Sequence, residues 1–310
     1  MVFSRGYYTR TVLAAFDWRR GVLSHRWTFD SADGTPGNSD YSGQGAHSLA
    51  VGDVDHDGRD EIVFGAATID DDGTGLYSTG LGHGDALHLG DFDPDRPGME
   101  VFMVHEDPKR YGAYGAEMHA AEDGRILWGI DGNGRDVGRG VAIDIDPRTR
   151  GAECWTTQGS MMSATGRALA TPKPRQMNFA VWWDGDLLRE ILDRGTISKW
   201  DYEAGRSRPV LEASDFGARS INGSKATPAL SADILGDWRE EVILPHRHGD
   251  ALLIFTTTMP TRHRLATLMH DAQYRLSIAW QNVGYNQPPH PGRYIGPGVA
   301  TGHRPDAASQ

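Results

Sequence analysis

The stretch GDVDHDGRDEIVFG, residues 52–65, carries an acidic residue at every second position of a turn and then runs directly into an apolar segment. Asp53, Asp55 and Asp57 stand at positions 1, 3 and 5 of a loop, and Gly58 permits a tight backbone turn. Glu61 at position 9 completes the oxygen donors that a hard cation such as Ca2+ requires. An EF-hand needs a bidentate Glu at position 12, where this chain has Phe64. EIVFG reads as a buried strand, so the segment is a calcium loop feeding a sheet.

The same order of residues returns along the chain. GDFDPDRPGMEVFMVHE (90–106), IDIDPRTRGAECWTT (143–157) and SADILGDWREEVILPHRH (231–248) each set a run of Asp and Gly before a Glu and an apolar strand, and DGDLLREILD (184–193) is a weaker copy. Asp91, Asp93, Asp144 and Asp146 are accordingly read as further calcium ligands, because clustered acids repel one another without a cation. A repeat of roughly 40–50 residues matches a propeller blade of four short strands joined by tight turns. The 39 glycines and 16 prolines suit that punctuation, and no long helical stripe competes with it. The fold class is therefore all-β, a β-propeller with calcium-binding loops, spanning residues 1–296, followed by a flexible tail at 297–310. YYTRTVLAAFDWRRGVLSHRWTFDS already reads as strand, turn and strand, so the chain is expected to begin within a blade and to cover only part of the propeller.

Composition narrows the function. The net charge of −11 comes without a basic stripe, which argues against a nucleic-acid partner. No apolar run is long enough to span a membrane, and the opening residues, interrupted by Arg10, Asp17, Arg19 and Arg20, do not form a signal peptide. The single cysteine, Cys154, lies in a strand-like segment and reads as a buried, inert thiol. GxSxG, HExxH and P-loop motifs are missing, which argues against serine-hydrolase, zincin and nucleotide chemistry. A monomer is expected.

HSLAVGDVDHDGRDEIVFGAATIDDDGTGLYSTGLGHGDALHLGDFDPDRPGMEVF, NFAVWWDGDLLREILD, NGSKATPALSADILGDWREEVIL and HRLATLMHDAQYRLSIAWQNVGYNQPPH closely resemble rhamnogalacturonan lyases of polysaccharide lyase family 11. The resemblance runs from about residue 7 to residue 296 and covers the later part of such enzymes. It implies an eight-bladed, calcium-binding β-propeller that cuts the pectin polysaccharide rhamnogalacturonan I by β-elimination, in an enzyme that works outside the cytoplasm, extracellular or periplasmic.

That reaction needs a group to neutralise the galacturonate carboxylate and a base to take the C5 proton. His47 and His83 lie 36 residues apart, each a few residues ahead of an acidic loop, and Asp85 follows His83 on the same strand face. These three are expected to converge on a calcium or substrate site; the alternative is that both histidines make structural hydrogen bonds between blades. Lys225 in NGSKATP and Arg139 in GRDVGRG are the candidate bases, both cations in glycine-bearing turns. A solvated surface charge is the ordinary alternative for either. Asn222, Gly223 and Ser224 match the family's active-site string, with Ser224 where the family usually has Thr, so they are candidate substrate contacts. In YNQPPH, Tyr285 offers a stacking face for a sugar and Asn286 an amide for its hydroxyls, unless both are simply turn residues before Pro288 and Pro289. The competing function is a non-catalytic propeller that binds carbohydrate or protein and uses calcium only to hold its blades.

Overall fold

The computed structural model describes residues 1–298; most of the tail expected at 297–310 lies outside the described residues. The chain is all-β, and among the described residues the strands fall in sequence order into six antiparallel sheets. The first holds β1 (Val2–Gly6), β2 (Val12–Arg19) and β3 (Val22–Asp30), and the second β4 (Gly45–Gly52), β5 (Glu61–Gly65), β6 (Ala67–Ile69) and β7 (Gly75–Ser78). The third holds β8 (Ala86–Gly90), β9 (Glu100–Val104), β10 (Ala116–Ala120) and β11 (Ile126–Ile130), and the fourth β12 (Gly140–Ile143), β13 (Glu153–Thr156) and β14 (Met162–Ser163). The fifth holds β15 (Phe179–Val181), β16 (Glu190–Asp193), β17 (Thr196–Asp201) and β18 (Arg206–Glu212), and the sixth β19 (Leu230–Ala232), β20 (Glu241–Pro245) and β21 (Leu252–Phe255).

Consecutive sheets pack face to face, and each gap has its own apolar core. Leu13 and Phe29 of the first sheet meet Ile62 and Phe64 of the second, Val63 meets Val101 and Met103 of the third, and Phe102 meets Ala142 and Cys154 of the fourth. Trp155 then meets Ile191 and Trp200, and Phe179 and Leu192 meet Val242 and Leu244. A middle sheet covered on both sides needs apolar residues on both faces, which is why EVFMV and EIVFG are continuous apolar runs and not alternating ones. Cys154 is fully buried, and burial pushes its thiol well above the ordinary range, as an inert core residue requires.

The acidic repeats share one backbone device. Each ends in a Glu at the head of a sheet's second strand, and one oxygen of that Glu accepts main-chain N–H groups from the loop before it. Glu61 Oε2 takes Val54 N at 2.8 Å, Glu100 takes Phe92 N and Asp93 N at 2.8 and 3.1 Å, and Glu153 takes Ile145 N and Asp146 N at 2.9 and 3.1 Å. Glu190 takes Trp183 N and Asp184 N at 2.8 and 3.1 Å, and Glu241 takes Ile234 N and Leu235 N at 2.9 Å each. Buried backbone donors must find acceptors, so this carboxylate closes the loop first. In Glu61 one oxygen staples the loop, and the other is buried without a hydrogen-bond partner and stays open to a cation.

One helix was not foreseen in the sequence. α1 (Pro108–Tyr111) is a single turn, but α2 (Ala272–Trp280) is a true helix laid against β4. Asp271 caps it by accepting Tyr274 N at 2.9 Å, and Asp before AQYRL was the available signal. Gln273 on α2 donates to Val51 O, and Ser277 donates to His290 O, so the helix anchors the last described segment to the second sheet.

Candidate active site

The residues that lead into the first strands of successive sheets meet on one side of the molecule. His47 belongs to β4, His83 and Asp85 precede β8, Arg139 precedes β12, and Lys225 sits in the turn before β19. His47 Nε2 lies 3.4 Å and His83 Nε2 3.9 Å from Asp85 Oδ1, and the two imidazole rings are 4.7 Å apart, edge to face. Lys225 Nζ is ion-paired with the other oxygen of Asp85 and stands 4.7 Å from the centre of the Tyr285 ring, which is 4.4 Å from the His47 ring. The structure thus brings together His47, His83, Asp85, Lys225 and Tyr285.

The electrostatics favour neutral imidazoles. Burial lowers the pKa of His47, with Lys225 adding to the effect and Asp85 opposing it. Burial likewise lowers His83, whose Nδ1 donates to Gly45 O at 2.6 Å. That bond fixes the tautomer and leaves Nε2 as an unprotonated donor atom, buried and without a hydrogen-bond partner. Two imidazole nitrogens and a carboxylate oxygen within 4.8 Å of one another suit a divalent cation. Calcium prefers oxygen, so the residues fit it only if a bound ligand contributes oxygens of its own.

Arg139 is buried beneath this group. Nη1 donates to Asp85 O at 2.9 Å, Nη2 to Asn178 O at 2.8 Å and Nε to Asn178 Oδ1 at 3.2 Å. Burial pushes its guanidinium down to about 10. All three nitrogens are committed to the protein, which suits a fixed positive charge holding Asp85 and not a group that reaches a substrate proton.

Asn222, Gly223 and Ser224 are exposed in the turn that carries Lys225. Asn222 adopts a left-handed backbone conformation with φ 60° and donates to Thr227 Oγ1 and Asn286 Oδ1. Asn286 is 1% exposed, and its amide donates to Pro228 O and Asn282 Oδ1. Its reading as a direct sugar contact is corrected: its polar atoms are spent inside the protein, where they hold Asn222. Three neighbours were missed in the sequence. Tyr7 stacks on His83 at 5.3 Å, Tyr8 OH lies 3.2 Å from His47 Nε2, and Glu106 Oε2 is 3.5 Å from His83 Nε2. Tyr8, His83, Glu106 and Arg110 border one open cleft of about 370 Å³. Glu106 follows β9 and the tyrosines join β1 to β2, so only the sheet packing places them beside His83.

The acidic loops divide. Asp53, Asp55 and Asp57 converge with one oxygen each inside 4.8 Å, and the buried Asp53 Oδ1 and Glu61 Oε1 lack hydrogen-bond partners, a donor set that fits Ca2+. Asp91 and Asp93, and Asp144 and Asp146, do not bring three carboxylates within 4.8 Å among the described residues, although Asp91 Oδ1, Asp144 Oδ1 and Glu153 Oε1 are likewise buried without hydrogen-bond partners, so their reading as calcium ligands stays a proposal. Arg96 donates to Glu100 Oε1 at 3.0 Å, and Arg148 grips Asp146 through two nitrogens at 2.8 and 2.6 Å. Tyr294 donates its N–H to Asp91 and its hydroxyl to Asp144. The acidic turn at Asp70–Asp72 is closed by Arg59 on Asp71 and Thr74 on Asp72.

Comparison with known proteins shows the family of the chain. The family described as rhamnogalacturonan lyase family 11, C-terminal domain, matches residues 1–305. The chain is 55% identical over 306 residues to the rhamnogalacturonan endolyase YesW of Bacillus subtilis, covering 99% of this chain and 48% of that protein. It is 50% identical over 321 residues to the rhamnogalacturonan exolyase YesX of the same organism, covering 98% of this chain and 51% of that protein. The structure of a Bacillus licheniformis rhamnogalacturonan lyase superposes with a TM-score of 0.92 at 57% identity, covering 97% of this chain and 50% of that one. The chain spans about half the length of these relatives, and it belongs to rhamnogalacturonan lyase family 11, as a counterpart of that family's carboxy-terminal domain.

Proposed function

We propose that the cluster around Asp85 is the active site of a polysaccharide lyase that cleaves rhamnogalacturonan I by calcium-assisted β-elimination at galacturonosyl residues. The observation that carries this reading is the convergence of His47 from the second sheet, His83 and Asp85 from the lead-in to the third and Lys225 from the lead-in to the sixth into one contacting group, with His83 on the wall of the adjoining cleft. The six stacked sheets, with β4 beside β8 and β8 beside β12, are in this reading successive blades of a β-propeller whose inner strands lead into the site. A polymer substrate places the working enzyme outside the cytoplasm, extracellular or periplasmic.

In the elimination, the C5–H bond breaks, its electrons form the C4–C5 double bond, and the C4–O4 bond breaks to release the preceding sugar, whose oxygen takes up a proton. Lys225 is the proton acceptor in this reading. It is an ammonium when paired with Asp85, so substrate must separate the pair and the amine must shed its proton before it acts. Arg139 holds the Asp85 main chain from below and keeps a fixed positive charge next to the site. Tyr285 presents a ring face to a sugar, and the Asn222–Ser224 turn presents polar groups to its hydroxyls. His47, His83 and Asp85 would hold Ca2+ together with the substrate carboxylate, and the ion's chemistry there is to neutralise that carboxylate as charge develops.

The test is the ultraviolet absorbance of the unsaturated product, with purified protein, rhamnogalacturonan I and Ca2+, beside a chelated sample. Growth that depends on calcium supports the lyase. A flat trace from folded protein favours the second reading, a calcium-stabilised binding module, unless activity returns when the sequence that precedes this region in the relatives is supplied.

A further inference from the structure

The five stapled loops differ in what meets the second oxygen of their glutamate, and the strand register decides it. In the second sheet Ile62 pairs with Ile69, which sets Asp70 opposite Glu61. Ala120 stands opposite Glu100 and Ser163 opposite Glu153. Ile191 pairs with Ser198, so Lys199 stands opposite Glu190; Val242 pairs with Phe255, so Thr256 stands opposite Glu241 and donates to its Oε1 at 2.9 Å. The first of these loops is therefore acidic at every one of these positions, whereas the fourth receives a cation from the neighbouring strand.

Lys199 Nζ reaches Asp184 Oδ2 at 3.0 Å, Asp186 Oδ1 at 2.7 Å and Glu190 Oε1 at 2.7 Å. These three carboxylates form the same kind of converging group as Asp53, Asp55 and Asp57. The loop turns are also alike: Asp57 N donates to Asp55 Oδ1, and Asp186 N donates to Asp184 Oδ1. The position of Asp53 is taken in the fourth loop by Trp182, which carries the Arg189 guanidinium on its ring at 4.1 Å, so this loop has lost one carboxylate and gained one ammonium.

We propose that Lys199 is the resident cation of the 184–190 loop, occupying the centre of its carboxylate group so that the loop binds no metal, and that removing the ammonium converts it into a divalent-cation site. Hydrogen bonds to Asp186 Oδ1 and Glu190 Oε1 and the ion pair with Asp184 Oδ2 put three carboxylate oxygens at about 3 Å from one nitrogen, which leaves no room for an ion in the same centre.

The test is a count of bound Ca2+ by native mass spectrometry, with thermal unfolding in chelator and in excess Ca2+, for the full chain and two variants. Asp186→Asn, at a half-exposed position, is expected to leave the calcium count of the parent chain unchanged, and Lys199→Ala to gain one ion and to recover in Ca2+ the melting temperature it loses in chelator. Loss of one ion in Asp186→Asn overturns the proposal, because the loop then binds metal with Lys199 in place. A folded Lys199→Ala that gains no ion overturns it as well. If Lys199→Ala does not fold in either condition, the Asp186→Asn count decides.

Discussion

His290 Nε2 lies 3.0 Å from His88 Nδ1, deep in the protein, and the contacts on either side fix the direction of that hydrogen bond. His88 Nε2 faces Gly140 O at 3.0 Å and must be its donor, so His88 Nδ1 accepts from His290 Nε2–H. His290 Nδ1 is left to face Arg189 Nη1 at 3.4 Å, beside the buried Arg189–Glu240 pair. The chain works only with both imidazoles neutral. It ties the segment after Tyr285 to the third and fifth sheets, and so supports the site through the fold.

Burial lowers His88 to about 3 and His290 well below its ordinary value, and the nearby Arg189 acts in the same direction on both. Their folded pKa values lie below the unfolded value, so the unfolded chain binds more protons and stability falls as pH drops below about 6.5. Each histidine contributes a slope of about 1.4 kcal/mol per pH unit between the two pKa values. Burial raises Glu100 to about 7, which gives the opposite slope over part of the same range. The two effects separate by difference: denaturant unfolding of His88→Gln from pH 6.5 to 5 is expected to show about one proton less acid dependence than the parent chain. Parallel curves would remove the neutral-pair assignment.

Lys225→Ala is expected to lower kcat by about 10²–10⁴-fold with little change in KM, the range for loss of a proton-transfer group. Arg139→Lys is expected to weaken the site differently. A lysine lacks the fork that reaches Asp85 O and Asn178 O together, so substrate binding and stability should both decline. Steady-state kinetics on rhamnogalacturonan I, at matched folded fractions, checks both. An unchanged kcat in Lys225→Ala would assign proton removal to another group.

Chelation is expected to lower the melting temperature, and Ca2+ to restore it, because Asp53, Asp55, Asp57 and Glu61 gather negative charge with buried oxygens that lack hydrogen-bond partners. Asp55→Asn removes one charge from this group and should shift the calcium midpoint of that recovery to higher concentration. Equal midpoints for the two proteins would mean that the stabilising ion binds elsewhere.

The 53–61 loop was legible because its donors are neighbours along the chain and Glu61 opens an apolar strand. His47 and His83 were legible because the repeat places them at matching points ahead of two such loops. Other features depend on three-dimensional register: Lys199 meets Glu190 only across a strand pair, Glu106 reaches His83 from the end of β9, and Tyr7 and Tyr8 arrive from the first sheet. Burial hid the role of Asn286, since nothing in YNQPPH says that its amide is used by Pro228, Asn282 and Asn222. The loops at 91–100 and 144–153 look like the first in sequence, and nothing there announces Arg96 on Glu100, Arg148 on Asp146 or Tyr294 on one oxygen each of Asp91 and Asp144.

Gly84 separates His83 from Asp85, and its lack of a side chain sets where both stand. A Cβ at this position would lie 1.7 Å from the carbonyl oxygen of Val104, a buried backbone atom at the end of β9 that has no freedom to yield. Gly84→Ala must therefore push the 82–85 segment away from β9. That movement strains the contact of His105 Nδ1 with Gly82 O at 2.9 Å and the bond from Arg139 to Asp85 O. The expected outcome is a folded protein destabilised by about 1–3 kcal/mol, the range for overpacking, with a loss of activity larger than that loss of stability explains. Denaturant unfolding and kinetics on the same samples measure the two effects separately. Full activity in Gly84→Ala would show that the spacing of His83 and Asp85 does not set the reaction geometry.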